Sequence, residues 1–299
     1  MAMIYKDFFS GWRDWLTLCK PRVVMLMLLT ALVGMCLASA QGVPLAVLVY
    51  GNLGIGLVAS GAAVFNHIAD QYIDRLMQRT RHRPVATGRI SVRQSLLFAL
   101  VLSVSGVMLL WWRINSLTAI LTFLSLIGYA VCYTLWLKHA TPQNIVIGGI
   151  AGAAPPLLGW TAVTGHIQPE ALLLVLIIFV WTPPHFWALA IHREKDYANA
   201  GIPMLPNTHG ADFTRLNILL YTILLSAVTL LPYAVGMSGL LYLAGSIPMS
   251  ILFLVHACRL FAGGDNRQAL KTFHYSIIWL GIIFLLLLFD HYIAWGVGS

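Results

Sequence analysis

NHIADQYIDRLMQRTRHRPVATGRISVR, residues 66–93, interrupts an otherwise apolar chain, and the manner of the interruption decides the fold. The stretch joins the end of one long hydrophobic segment to the start of the next. It carries Asp70 and Asp74, with Asn66 four residues upstream, and then Arg75, Arg79, Arg81, Arg83, Arg89 and Arg93. On a helix the 66/70/74 spacing puts three oxygen-bearing side chains on one face, each about 6 Å further along the axis. Aligned carboxylates beside a dense basic loop predict a magnesium-bridged diphosphate. The alternative is a solvated helix end with surface pairs of the Asp74–Arg75 kind and a basic loop that only sets membrane orientation. Six arginines fit that alternative; the in-phase N-x3-D-x3-D is not required by it.

Composition supplies the surroundings. Of 299 residues, 59% are hydrophobic and 9% charged, against roughly 25% charged in soluble domains. That is a polytopic membrane protein, with the lipid bilayer as its environment. The net charge of +8 does not indicate nucleic acid as a partner, because basic residues confined to loops between apolar segments are what membrane orientation requires. Cys19, Cys36, Cys132 and Cys258 are widely separated, which excludes an evident disulfide framework or thiolate metal site.

A bilayer crossing needs about 20 mainly apolar residues. Nine segments qualify: 22–40, 44–68, 94–113, 115–137, 143–164, 170–192, 215–235, 238–262 and 274–296. The expected fold is therefore all-α, a polytopic membrane helical bundle of about nine transmembrane helices forming a single domain over 1–299. Ala38-Ser39-Ala40 imitates a signal-cleavage site, but the preceding region is long and carries Asp7, Trp12, Asp14 and Trp15. The first apolar segment reads as an uncleaved span, and residues 1–20 as an interfacial segment. With nine spans, Arg113 stands alone on one side of the membrane, and the other 17 of the 18 basic residues share the opposite side. The expected orientation follows: N-terminus cytoplasmic, C-terminus outside. The cytoplasmic loops 66–93 and 192–215 then hold five of the ten acids, and only Glu170 and Asp290 lie near the outer face, so the polar chemistry belongs at the cytoplasmic mouth of the bundle.

Candidate site residues come from those two loops and the adjoining spans. Asn66, Asp70 and Asp74 are the candidate catalytic and metal ligands, because magnesium prefers oxygen donors and commonly takes one or two carboxylates plus substrate phosphates. Asp196 is a candidate further ligand, although position 200, where a second in-phase acid would stand, is Ala. Arg75, Arg79, Arg83, Lys138, Arg193 and Lys195 are the candidate diphosphate clamps. His185, inside WTPPHFWALAIH, and His192, two turns on along the same face, read either as polar packing or as haem ligands or proton acceptors. Pro183 and Pro184 are expected to break or kink their helix, and GIPMLP at 201–206 to form a rigid turn rather than a helix.

With these residues in hand, the chain resembles the UbiA superfamily of intramembrane prenyltransferases, and within it the haem O synthase branch. The resemblance rests on CKPRVV at 19–24, N-x3-D-x3-D-x4-RT-x2-RP at 66–84, LKHATPQNIVIGGIAGAAPP at 137–156, WTPPHFWALAI at 181–191 and DY-x3-GIPMLP at 196–206. The acidic motif is shared across the superfamily; the TPQNIVIGG and PPHFWALAI strings point to the haem branch. The resemblance implies farnesyl transfer from farnesyl diphosphate to a vinyl group of haem B, with Mg2+ as cofactor. On that reading His185, or else His192, is the candidate ligand of the haem iron, and the oxidase-linked likeness together with the charge bias puts the active site on the cytoplasmic face of a bacterial inner membrane. The product would pass to haem A synthase or a terminal oxidase. Two rival readings remain at this level. A quinone-precursor aromatic acid as acceptor is compatible with the acidic motif. A transporter is disfavoured, because transporters place ionisable groups at mid-membrane on several helices and this chain gathers them at one face.

Overall fold

The computed structural model describes residues 11–298, which are helical with short connections and contain no strand. A helix Gly11–Leu18 precedes α1, Pro21–Leu37, at an angle of 46°. There follow α2 Leu45–Ala69, α3 Val92–Arg113, α4 Ser116–Leu137, α5 Asn144–Thr164, α6 Pro169–His192, α7 Ala211–Ala234, α8 Leu240–Phe261 and α9 Asn266–Gly298. Among the described residues, eight of these are long and apolar enough to cross a bilayer by themselves, and the bent Gly11–Leu18/α1 pair makes a ninth. The nine expected segments are all helical. Their ends differ by a few residues, most at α9, whose helix begins at Asn266 rather than 274.

Burial separates central helices from lipid-facing ones. In α6, 61% of the best apolar window is buried, and in α5 56%, against 28% in α3 and 17% in α4. Leu97, Val101, Val104, Ile120, Phe123 and Leu124 accordingly stand exposed on α3 and α4. An apolar surface of this extent is stable only against hydrocarbon. The close approach of α1 to α5 depends on two glycines. A Cβ on Gly159 would sit 1.9 Å from the Ala31 carbonyl oxygen, and one on Gly34 2.2 Å from that of Pro156. Small residues at such crossings let backbones touch, which is a main source of helix association in lipid.

Three local features differ from expectation. Pro155 and Pro156 divide α5 into Asn144–Ala153 and Pro155–Thr164, as prolines that start a helical segment do. In α6, by contrast, Pro183 and Pro184 lie inside an unbroken helix, so the expected break does not occur. Neighbouring helices in a packed membrane bundle can tolerate the missing backbone donors. The GIPMLP turn is extended only in part, because Leu205–His209 forms a short helix with Pro206 in its first turn.

The second half of α4, Gly128–Leu137, is a π-helix. Thr134 Oγ1 donates to the Tyr129 carbonyl five residues back at 2.8 Å, and the Tyr129 and Tyr133 rings stack with centroids 5.7 Å apart. The helix Gly11–Leu18 is packed rather than loose on the surface. Leu18 is buried with Val64, Val85, Ile90 and Ala99, and Asp14 pairs with Arg89 Nε at 2.8 Å. Residues 1–10 of the expected interfacial segment lie outside the described residues.

Candidate active site

The Asn66/Asp70/Asp74 series does not lie on one uninterrupted helix. Helix α2 ends at Ala69, Asp70 adopts φ −84° and ψ 0°, and a short helix Gln71–Leu76 restarts the chain. The four-residue backbone bonds nevertheless persist, from Asp70 N–H to Asn66 O at 2.9 Å and from Asp74 N–H to Asp70 O at 2.8 Å. The three side chains are 5%, 4% and 3% exposed, which rules out the solvated helix end. Carboxylates buried to this degree need partners, because desolvating an unpaired ion costs several kcal/mol.

Partners arrive from three directions. Lys138, just past the π-helical end of α4, places Nζ 2.7 Å from Asp70 Oδ2. Arg83 Nη1 donates to both oxygens of Asp74 at 2.9 Å. Lys20 Nζ donates to Asn66 Oδ1, and Asn66 Nδ2 donates to Asp70 Oδ2 at 3.0 Å. Three orphaned polar groups mark the same region: Asp70 Oδ1, Asn144 Oδ1 and both ring nitrogens of His67 are buried with no partner among the described residues. Buried polar atoms without partners are uncommon in native structures and each calls for a reason.

Lys20 and His67 are the residues that sequence reasoning missed. Lys20 has φ 49° and ψ 56°, the one left-handed non-glycine residue among those described. A residue with a Cβ there costs about 1–2 kcal/mol, and Pro21 restricts the preceding residue further. Strain of this kind persists where surroundings enforce it, often at functional sites. The available signal was the lysine immediately before the proline that opens the first span. His67 gave no signal, since it looked like one more residue of an apolar span.

The second loop packs against the first. Ile73 and Met77 share one apolar cluster with Tyr197, Ala200, Ile202, Met204 and Leu205. Tyr197 lies between the loops: burial raises its pKa above the ordinary phenol value, while the Arg79 and Arg193 charges pull it down. The remaining candidates are distributed unevenly. Arg79 is exposed and faces Tyr197. Arg75 is spent on the loop itself, donating to the Ala86 carbonyl at 2.8 Å. Arg193 and Asp196 are 3.9 Å apart in a loose pair, and Lys195 is exposed. The structure thus brings Asn66, Asp70, Asp74, Arg83 and Lys138 into one cluster and leaves Arg75 and Lys195 outside it.

His185 and His192 both face α9. His192 Nδ1 lies 3.3 Å from the Asn266 carbonyl. The His185 ring is 7% exposed, lies between Trp181 and Phe273 with centroids at 4.2 and 4.6 Å, and places Nδ1 2.7 Å from Ser276 Oγ. Ser276 spends its hydroxyl proton on the Phe273 carbonyl at 2.6 Å. Its oxygen must therefore accept from His185 Nδ1–H, which leaves the lone pair on Nε2. That is the tautomer in which a histidine can act as a metal ligand oriented by a second hydrogen bond.

Among the described residues, no three His, Cys, Asp or Glu side chains converge as a metal set. A cation at the Asp70 cluster would be held by two carboxylates and the Asn66 amide oxygen. That donor chemistry suits magnesium, and the orphaned Asp70 Oδ1 is a ligand atom already in place.

Arg83→Met strands the buried Asp74 carboxylate and should cost about 3–5 kcal/mol of stability. Asp74→Asn in the same chain should restore most of that loss, read as the melting temperature of the purified protein. Equal and additive losses in the two single variants would refute the pairing.

Comparison with known proteins places this geometry in a family. The model of the UbiA prenyltransferase family matches residues 27–289. Protoheme IX farnesyltransferase of Marinobacter nauticus is 62% identical over 284 residues, covering 95% of this chain and 94% of that protein. Protoheme IX farnesyltransferase 1 of Pseudomonas putida strain W619 is 59% identical over 293 residues, covering 98% and 99%. Among solved structures, digeranylgeranylglyceryl phosphate synthase aligns with TM-score 0.80 at 19% identity over 95% of this chain and 99% of that one. A UbiA homologue from Archaeoglobus fulgidus bound to DMAPP and Mg2+ aligns with TM-score 0.64 at 16% identity over 92% and 99%. The nine-span bundle, the buried Asn66/Asp70/Asp74 cluster and these matches lead to one conclusion: the chain belongs to the UbiA prenyltransferase family.

Proposed function

We propose that the chain transfers the farnesyl group of farnesyl diphosphate to a vinyl group of haem B, releasing diphosphate and giving haem O. The observation that carries this reading is the buried cluster in which Asn66, Asp70 and Asp74 meet Lys20, Arg83 and Lys138. The identity of the acceptor draws on the likeness to the proteins named protoheme IX farnesyltransferase.

Asn66, Asp70 and Asp74 would hold a magnesium ion, which would supply positive charge for the departing diphosphate. Lys20, Arg83 and Lys138 add fixed charge where negative charge develops, and a buried setting strengthens that contribution. Arg79 and Arg193, on facing loops, stand further out as a second rank. The stacked Tyr129 and Tyr133 faces lie close to Asp70. They give an allylic cation a π surface and shield it from water. His185 Nε2 holds the haem iron, with Ser276 fixing the ring. The lipid-facing α3 and α4 leave both oily substrates in their preferred medium.

Purified protein given Mg2+, farnesyl diphosphate and haem B should yield a haem of higher mass, and 4-hydroxybenzoate in place of haem should yield nothing. Asp70→Ala should lower turnover at least 100-fold, on the scale seen when a charge-stabilising group is removed. Prenylated 4-hydroxybenzoate would transfer the proposal to an aromatic-acid acceptor.

His185→Ala should weaken haem binding at least tenfold and shift the Soret band of the bound haem. An unchanged spectrum and affinity would remove His185 from the iron.

The active site faces the cytoplasm of the bacterial inner membrane, because the Arg75–Arg93 loop lies there under the positive-inside rule. Reporter fusions should be active as a cytoplasmic marker after residue 91 and as an external marker after residue 293. The opposite pattern would invert the topology.

A further inference from the structure

The cluster around Asp70 contains three cations, Lys20, Arg83 and Lys138, and two carboxylates, Asp70 and Asp74. With all five ionised its formal charge is +1. Almost every oxygen it could offer a metal is already engaged. Lys138 bonds Asp70 Oδ2, Arg83 bonds both oxygens of Asp74, and Lys20 bonds Asn66 Oδ1. Among the side-chain oxygens of Asn66, Asp70 and Asp74, only Asp70 Oδ1 is buried and unpartnered.

A divalent cation entering by itself would raise the cluster to about +3 in a buried setting, where like charges repel far more strongly than in water. A diphosphate ester of roughly −3 entering alone would leave about −2. The two together bring the sum close to zero. The same cations also have somewhere to go, because lysine and arginine bond phosphate oxygens as readily as carboxylates.

We propose that metal and diphosphate bind this cluster only as a pair, one divalent ion to one diphosphate, through an exchange of partners. Lys20, Arg83 and Lys138 pass from Asn66, Asp74 and Asp70 to the phosphate oxygens, and the metal takes the ligands they release. Asp70 Oδ1 is the first atom the metal meets. Lys20 thereby contacts the diphosphate directly, and its left-handed backbone delivers a cation at the very start of α1. The inference rests on the reading of the cluster as the diphosphate site.

The test uses full-length protein in lipid nanodiscs, with Mn2+ followed by electron paramagnetic resonance and non-cleavable farnesyl thiodiphosphate as the second ligand. Saturating thiodiphosphate should tighten Mn2+ binding at least 30-fold, and saturating Mn2+ should tighten thiodiphosphate by the same factor. Lys138→Met and Lys20→Met should each tighten the binding of Mn2+ alone severalfold while weakening thiodiphosphate. A residue with a merely structural role would not produce those opposite signs. Wild-type coupling below about threefold overturns the proposal, as does weaker binding of Mn2+ alone in both lysine variants. The wild-type measurement stands even if one variant fails to fold. Asp70→Ala separates the two levels: if it binds the Mn2+–thiodiphosphate pair as wild type does, the diphosphate reading itself falls. If it abolishes that binding while wild-type coupling is absent, only the exchange falls.

Discussion

Two carboxylates can stay ionised beneath the end of a lipid-embedded bundle only if cations reach them, and the rest of the molecule is arranged so that they do. Lys138 comes from the end of α4, Arg83 from the loop after α2, and Lys20 from the residue before α1. No single segment could supply all three. The cluster therefore depends on the tertiary structure as a whole, and the desolvation of its ions is offset only when the helices are correctly docked. A substitution anywhere that shifts α1 or α4 relative to α2 is felt at Asp70.

The apolar contacts explain how that docking is held. The helix Gly11–Leu18 grips the loop through Leu18 and the Asp14–Arg89 pair, while the Ile73–Met77 face is closed by Ile202, Met204 and Leu205 from the far loop. The Gly34 and Gly159 contacts bring α1 and α5 together backbone to backbone. Polar chemistry at the rim is thus set on a frame of ordinary packing.

The spans and the acidic motif were legible in the sequence because they follow from solvent and charge alone: apolar length fixes the helices, and Asn66, Asp70 and Asp74 recur at a helical interval. What was not legible depended on contacts between segments distant in sequence. Nothing in RLMQRTRHR distinguishes Arg83, which reaches Asp74, from Arg75, which turns back to Ala86. Lys20 looks like an orientation charge until Asn66 is seen 46 residues away beside it. Pro183 and Pro184 obey local rules for breaking a helix, yet α6, the span with the largest buried share, runs unbroken through them. Asp70 shows the opposite: the interval is helical, but the helix itself ends there.

The π-helical turns of α4 have a consequence for the register of the site. Between Gly128 and Leu137 the chain carries more residues per turn than an α-helix would need. Losing one residue there would keep the segment apolar, helical and long enough to cross the bilayer, so a hydropathy profile would record no change. In an α-helix such a loss rotates everything beyond it by about 100° around the axis, but here a wide turn that tightens to an α-turn absorbs the rotation and keeps Lys138 beside Asp70. The π-helical stretch thus holds the spare residue through which the length of the span and the register of the ion pair are adjusted separately.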